Sequence, residues 1–465
     1  MRIKFIGAAR TVTGSKHLLE TWDGKKILID YGLYQGLGKE TFKRNAADEV
    51  DAESISAVIL THAHMDHAGL LPRLVKKGFR GPIYCTHPTK ALLEIMLIDS
   101  AFIQESDVRF AKKHNEKASH YEALYTMNDA DETLTRLVAI DEYEDFKVLP
   151  GVIASYIPNG HILGSAAVFL TVRDKHHDTK ILFTGDIGRY NTSLICDPVP
   201  PPEADYVICE STYGNRLHNK LEDAEQRLFD VIMETVKGKK GKLIIPAFSL
   251  GRTQELVFTL NKLDLYGILP NIKIYVDSPL AVNATAITRQ FKSELNPEVQ
   301  RFVDSREDPF GFGKLKYIKK KEESQALNES NEPCVIISAS GMADAGRVKH
   351  HIFHTLEDSR NTILFVGYAE PNSLAGRLQR GEEEVNIFGA TKKVRAEIEI
   401  LTSLSAHGDY QEMIQYLGSQ NKAQVKRVFL VHGEEEAQIG FKQHLHDAGF
   451  GQVAIPFSGE TFDLD

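Results

Sequence analysis

The stretch Ile59-Leu60-Thr61-His62-Ala63-His64-Met65-Asp66-His67-Ala68-Gly69 constrains the fold more than any other part of this 465-residue chain. Three imidazoles and a carboxylate fall within six positions, directly after an apolar run at 57–60 and directly before a helical pattern at 70–77. That order specifies a strand, a tight turn and a helix, and it gathers the polar side chains at a sheet edge. His62 and His64 stand two apart on extended backbone, so they point the same way and can share one ion. Asp66 and His67, beyond the turn, point elsewhere and can hold a second. Imidazole plus carboxylate is a ligand set for Zn²⁺ or a similar divalent metal. A solvated His-rich loop would lack the flanking strand and helix.

At this length one ordinary core does not suffice, so two or three domains are expected. Hydrophobic residues at 42% and charged residues at 26% describe a globular chain. No apolar run approaches the roughly 20 residues of a membrane span. Met1 to Gly7 goes straight into a strand pattern with no secretory segment, so the expected location is cytoplasmic. Cys85, Cys196, Cys209 and Cys334 are scattered without a CxxC pair, which suits small buried thiols in a reducing compartment. A net charge of −9 does not advertise nucleic-acid binding. Two basic clusters, one at 314–321 and one formed by Arg377, Arg380, Lys392, Lys393 and Arg395, permit a polyanion groove without establishing one.

Short strand patterns dominate the first part of the chain, at 3–8, 17–22, 25–31, 57–61 and 83–86, and again at 152–157, 166–173, 180–184 and 206–209. Few helices intervene, which points to stacked sheets covered by helices. From Lys242 the chain alternates strand and helix, and repeated βαβ units specify a parallel sheet with a domain of its own. A β-rich style returns at 396–403 and 425–431. One metal-binding domain interrupted by an α/β insertion accounts for both styles, with residues 1–210 and 396–465 in the first and 211–395 in the second.

A site for two metals needs ligands from elsewhere in the chain. Six further segments share one pattern, a polar residue beside small residues, mostly where an apolar strand ends: Asp30, His161, Asp186, Glu210, His407 and His432. Glycine beside such a residue permits a sharp exit and close backbone approach. Any one of them alone reads as a hydrogen-bonded loop residue. Together with the His62–His67 turn they read as one dispersed centre.

This ordered set resembles the metallo-β-lactamase fold superfamily, specifically its β-CASP nuclease branch, over essentially the whole chain. Asp30, the His62–His67 turn, His161 and Asp186 match the superfamily's motifs in order, and Glu210, His407 and His432 match the three motifs of the branch. Within the insertion, Pro246-Ala-Phe-Ser-Leu-Gly251-Arg252, Asp277-Ser278-Pro279 and Ser338-Ala-Ser340-Gly341-Met342 also match. The resemblance implies an α/β architecture, an αββα sandwich with an inserted parallel-sheet β-CASP domain. It implies two Zn²⁺, or other divalent ions, one held by His62, His64, His161 and Asp186. The second would be held by Asp66, His67, Asp186 and His432, with Asp186 bridging. Asp30 would orient ligand imidazoles. The catalytic set would be His407, Glu210, Asp66 and Asp30, with a metal-activated hydroxide attacking the phosphodiester and His407, oriented by Glu210, protonating the leaving group.

His432 at the last motif favours RNA, since DNA-repair members carry an apolar residue there. Ribonuclease J and the pre-mRNA cleavage-factor nucleases are the relevant relatives, leaving endonuclease and 5′-exonuclease action both open. Arg252, Ser340 and Arg377 are the candidate phosphate contacts. One departure concerns the loop Gly367-Tyr-Ala-Glu370-Pro371-Asn372-Ser373, which adds a carboxylate and a proline where many relatives read Gly-Tyr-Gln. Two other functions remain open on sequence: a hydrolase of a small ester or thioester, and a non-catalytic RNA-binding subunit. The former lacks support from the insertion and the His407/Glu210 pair, and the latter from the intact ligand set. A membrane partner is not expected, and a homodimer is one arrangement left open.

Overall fold

Most strands carry apolar residues on both faces, so each sheet must be covered twice. In the computed structural model, which describes residues 1–114, 122–173, 178–218, 221–305, 308–367, 369–401 and 404–465, two seven-stranded sheets meet this demand by stacking. The first runs Thr461–Asp463, Arg2–Gly7, Lys16–Glu20, Lys26–Ile29, Ile55–Ile59, Ile83–Thr86 and Leu137–Ile140. The second runs Val453–Ala454, Arg427–Val431, Tyr206–Glu210, Asp178–Phe183, Ala166–Arg173, Val152–Pro158 and Phe146–Leu149. Each is antiparallel on one side and parallel on the other.

Side-chain alternation sorts these strands into layers. Phe5, Ile27, Ile29 and Ile59 face Tyr156, Leu170, Phe183 and Phe429 across the central core. The residues between them, Leu28, Val58 and Leu60, turn outward onto Leu71, Leu74 and Leu93. Those belong to helices Leu71–Lys76 and His87–His114. On the far side Leu182, Val207 and Leu430 meet Met413, Tyr416 and Phe441, from helices Tyr410–Tyr416 and Glu435–Asp447. The result is the αββα sandwich.

A third sheet has six strands in the order Leu315–Tyr317, Lys273–Val276, Cys334–Ser338, Leu243–Pro246, Thr362–Phe365 and Glu397–Ile400, all parallel. Leu243, Ile245, Val335 and Ile337 pack on Leu256, Val257 and Leu260 of helix Arg252–Leu265. Ile244, Ile336 and Ile363 pack the other way, on Val348 and Ile352 of helix Arg347–Thr355. The return to the sandwich at 396 is corrected by this sheet. Strand Glu397–Ile400 pairs with Thr362–Phe365, Thr362 opposite Glu397 and Phe365 opposite Ile400, so the insertion extends past 395. Period-two alternation marks a strand but carries no information on which sheet it joins. Thr402 and Ser403, at the end of the 396–403 stretch, lie outside the described residues, as does Tyr368.

All four cysteines are free, and Cys85, Cys209 and Cys334 are buried. Among the described residues no helix is long and apolar enough to cross a membrane.

The two sheets are locked by rings. Phe429, fully buried, lies 5.0 Å from Phe5 and 4.9 Å from Phe462, centroid to centroid. Phe429→Ala should lower stability by about 3–5 kcal/mol. Urea unfolding followed by circular dichroism checks this, and an unchanged midpoint would show that the contact between sheets is dispensable.

Candidate metal centre

Strand Ile55–Ile59 runs out into Leu60-Thr61-His62-Ala63-His64, and helix Met65–Ala68 starts at once behind it. The loop is clamped from the neighbouring strand exit. Asp30 Oδ1 accepts the Thr61 N–H at 2.8 Å, and its Oδ2 accepts the Thr61 hydroxyl at 2.9 Å and His67 Nδ1–H at 2.7 Å. Gly32 lies so close to the helix that a Cβ there would sit 1.6 Å from the Asp66 carbonyl oxygen, so no other residue fits. Asp30 and His432 both leave their strands at positive φ, 59° and 50°. Strain of this kind persists only where the surroundings enforce it.

Hydrogen bonds on the outer nitrogens decide where the inner ones point. His67 gives Nδ1–H to Asp30, which leaves Nε2 facing inward. His62 Nδ1 lies 3.0 Å from the Thr61 hydroxyl, and His432 Nδ1 lies 3.1 Å from the Thr212 hydroxyl, which itself donates to the His432 carbonyl at 3.0 Å. Thr61 and Thr212 were missed in the sequence. Thr61 could have been signalled by its place beside His62, whereas Thr212 meets His432 only through the pairing of neighbouring strands.

Three overlapping groups of potential ligand atoms result; one joins Asp186 and His432 to Glu210 and His407, and the other two form the histidine-rich centre. His62 Nε2 is 3.1 Å from His64 Nδ1, which is 3.3 Å from His161 Nε2. Asp186 Oδ2 lies 3.5 Å from both His62 Nε2 and His161 Nε2. In the second group His67 Nε2 is 3.2 Å from His432 Nε2, and Asp66 Oδ2 is 3.5 Å from the same His432 atom. Asp186 Oδ1 reaches this group too, 3.2 Å from His67 Nε2. One carboxylate therefore offers an oxygen to each group. Within each set of His62, His64, His161 and Asp186, and of Asp66, His67 and His432, the donor atoms lie within 4.8 Å of one another.

The donor chemistry fits divalent metal ions. Burial holds His62 and His161 well below the ordinary imidazole range and pushes His64 down to about 4, so these rings present lone pairs. Asp186 Oδ1 is buried without a hydrogen-bond partner among the described residues. Burial opposes a charged His67, yet Asp186 and Asp30 raise its pKa well above normal. Carboxylates that force a proton onto a buried imidazole mark a place where positive charge is needed.

Beside the second group stands a different pair. His407 Nδ1 lies 3.1 Å from both Glu210 oxygens, and Glu210 also accepts from the Ile187 N–H. Burial again opposes the charge, but the Glu210 carboxylate prevails and lifts His407 to about 9. The His407 ring is 4.5 Å from that of His161, and its carbonyl lies 3.0 Å from His218 Nε2, another residue unnoticed in the sequence.

The centre opens into a cleft of about 1240 Å³ between sandwich and insertion, lined by His64, Asp66 and His407 on one side and by Arg252 and Ser340 on the other. The phosphate candidates fare unevenly. Arg252 lines the cleft but its guanidinium is paired with Glu255. Arg377 does not line it; its guanidinium is held by Glu382 at 2.8 Å. Glu370, the departing carboxylate, turns inward and accepts the N–H groups of Asn372 at 2.7 Å and Ser373 at 3.1 Å, ahead of helix Leu374–Gln379.

Comparison with known proteins gives a consistent result. A metallo-β-lactamase superfamily model matches residues 18–213, a β-CASP domain model matches 253–378, and a model described as a Zn-dependent metallo-hydrolase RNA specificity domain matches 391–456. The chain is 34% identical over 461 residues to ribonuclease TTHA0252 of Thermus thermophilus, covering 99% of each protein. It is 31% identical to an RNase J-like protein of Methanocaldococcus jannaschii, covering 94% of each. Against cleavage and polyadenylation specificity factor 73 of Drosophila melanogaster it is 31% identical, covering 95% of this chain and 61% of that one.

A pKa raised from 6.5 to about 9 means that folding binds the His407 proton more tightly than the unfolded chain does. That stabilisation is full below pH 6.5 and is lost as pH rises through about 9. In metal-free protein it should amount to a few kcal/mol, on the order expected for such a shift. Urea unfolding of metal-free protein between pH 6 and pH 10 should show the decline, and Glu210→Gln should make it shallower, leaving the part that His67 contributes. An equal decline in the variant would detach the effect from this pair.

Proposed function

This chain belongs to the β-CASP nuclease family of the metallo-β-lactamase superfamily and is a metal-dependent RNA hydrolase; from that premise we propose that it cuts RNA phosphodiester bonds at the His/Asp centre with two zinc ions. The observation that carries this reading is the Asp186 carboxylate, with one oxygen toward each of two ligand groups and the His407–Glu210 pair beside them. His62, His64, His161 and Asp186 would hold one ion, and Asp66, His67, His432 and Asp186 the other. The chemistry such a pair supplies when bound is neutralisation of phosphate charge and a fall in the pKa of water from ~15.7 towards 7.

The chain's own residues do the rest. Asp30 and Thr212 keep His67 and His432 in the tautomer that faces the centre. Glu210 holds a proton on His407, whose ring reaches the same space as His161, so His407 is placed to protonate the departing sugar oxygen. At about 1240 Å³ the cleft exceeds the roughly 300–1,000 Å³ usual for small-molecule sites, which favours a polymer over a small ester. A cytoplasmic setting belongs to the same reading.

Purified protein should contain two equivalents of zinc by elemental analysis and cleave end-labelled RNA in a chelator-sensitive reaction. His64→Ala should hold less than two equivalents and lose cleavage. His407→Ala should keep both ions while kcat falls about 10²–10⁴-fold. Turnover of a small ester by the metal-loaded protein, with RNA left intact, would sink the proposal. Asp30→Asn should weaken metal affinity about 10–100-fold, read by competition with a chromophoric chelator.

A further inference from the structure

On the insertion, strands Glu384–Ile387 and Ala390–Lys393 form a hairpin whose two-residue turn is Phe388-Gly389, at φ 55° and 80°. Such a turn suits Asn or Gly at its first position, and a bulky aromatic is strained there. Val385 and Ile387 anchor the hairpin in the insertion's core, and Phe388 adds only an edge contact to Phe353, with centroids 5.8 Å apart. Phe388 instead remains 52% exposed. Its ring stacks on His350 with centroids 4.5 Å apart and planes 30° apart, with Lys349 Nζ 5.0 Å from the ring centre. These three residues line the same cleft as His64, Asp66 and His407. From the opposite wall the sandwich helix His87–His114 contributes Phe102, 53% exposed.

Charge does not dominate this part of the cleft. Arg252 and Arg347 are neutralised by Glu255 and Asp277. Lys321 and Lys349 make no ion pair among the described residues, but Asp107 and Asp344 share the lining and Lys349 acts electrostatically on both. His350 is held below its ordinary pKa, first by burial and then by His351, His354 and the two lysines, so its ring is neutral. A strained, half-exposed aromatic ring on a neutral imidazole, in a charge-balanced wall, is built for a flat uncharged group. In the substrate class already assigned, that group is a nucleobase.

Resting on the RNA-hydrolase reading, we propose that Phe388 and His350 form a stacking platform for one unpaired nucleobase of the substrate strand. The occupant is single-stranded RNA, since a base paired in a helix does not offer its face to a side chain. Stacking tolerates every base, so the platform grips the strand without reading its sequence.

The test compares wild type, Phe388→Leu, Phe388→Asn, Phe388→Trp and His350→Ala holoenzymes on single-stranded RNA and on bis(p-nitrophenyl) phosphate. Phe388→Leu and Phe388→Asn should raise KM for RNA about 5- to 150-fold, the loss of one stacked base. Phe388→Trp should restore it, and the small diester should be hydrolysed equally by all. Phe388→Asn matches the turn's backbone preference and should melt no earlier than wild type. An abasic nucleotide walked along the RNA should raise KM for wild type at one position and leave Phe388→Leu unaffected there. The salt dependence of KM should be the same for both, since no phosphate contact is lost. Unchanged KM for RNA in Phe388→Leu, Phe388→Asn and His350→Ala overturns the platform while leaving the RNA reading intact. Parallel loss of small-diester hydrolysis also overturns it, by making Phe388 a packing residue. A wild type that hydrolyses the small diester and no RNA overturns the RNA reading and the platform together.

Discussion

A carboxylate buried as deeply as that of Asp30 is costly unless its oxygens find donors. The donors it finds belong to the segment that most needs placing: the Thr61 backbone and hydroxyl and the His67 ring. Satisfying one buried charge therefore fixes the start of the loop, the end of the turn and the tautomer of a ligand in a single act. The outer side chains and the inner geometry are one network, and a partly satisfied version would be worse than an apolar core. Strand pairing brings Asp30 to the loop in the first place, since Lys26–Ile29 lies parallel to Ile55–Ile59 with Ile29 opposite Ile59.

The same economy of position recurs at the other sheet. Glu210 and His432 end adjacent parallel strands, with Glu210 paired to Val431, so the residue that orients His407 and a ligand of the second group arrive side by side. Asp186 follows the neighbouring strand Asp178–Phe183. Parallel strands that terminate at one level present their exits together, and each exit here carries one polar side chain. Burial of so much negative charge, on Asp30, Asp66, Asp186 and Glu210, is the price of that convergence, and a positive charge is what offsets it.

Much of this was legible in the chain because each ligand carries a local signature, an apolar run followed by a polar residue beside glycine. His161, Asp186 and His432 share it, Asp30 has its glycine one residue further on, and Glu210 has Ser211 instead. The strand pattern points to stacked sheets covered by helices, and the αββα order comes from the family resemblance. What was not legible depends on which partner a side chain or strand meets in space. Nothing near Arg377 or Arg252 announces that Glu382 and Glu255 will neutralise them, although both partners lie within a few residues, because a carboxylate nearby in sequence is equally compatible with a solvated surface. Strand Glu397–Ile400 has the right pattern and an unreadable destination. Phe388 was invisible for another reason: its meaning lies in a turn whose backbone would favour a different residue, and a turn type is not evident from one aromatic between an isoleucine and a glycine.

The chain re-enters the sandwich close to His407, and the local bonds show which side owns that residue. Its backbone bridges Gly188, Gly408 N–H donates to the Ile187 carbonyl at 2.8 Å, and Asp409 caps helix Tyr410–Tyr416. All are sandwich contacts. The candidate ligands and His407 thus sit on the sandwich, while the facing wall, with Arg252, Ser340 and Phe388, belongs to the insertion. The division is like that between a tool's blade and its jaw: exposed wall residues such as Phe388 can be exchanged to suit a different strand without replacing a side chain of the His/Asp centre, whereas Phe248, 6.2 Å from the His64 ring, and Leu250, packed into the sandwich core, cannot.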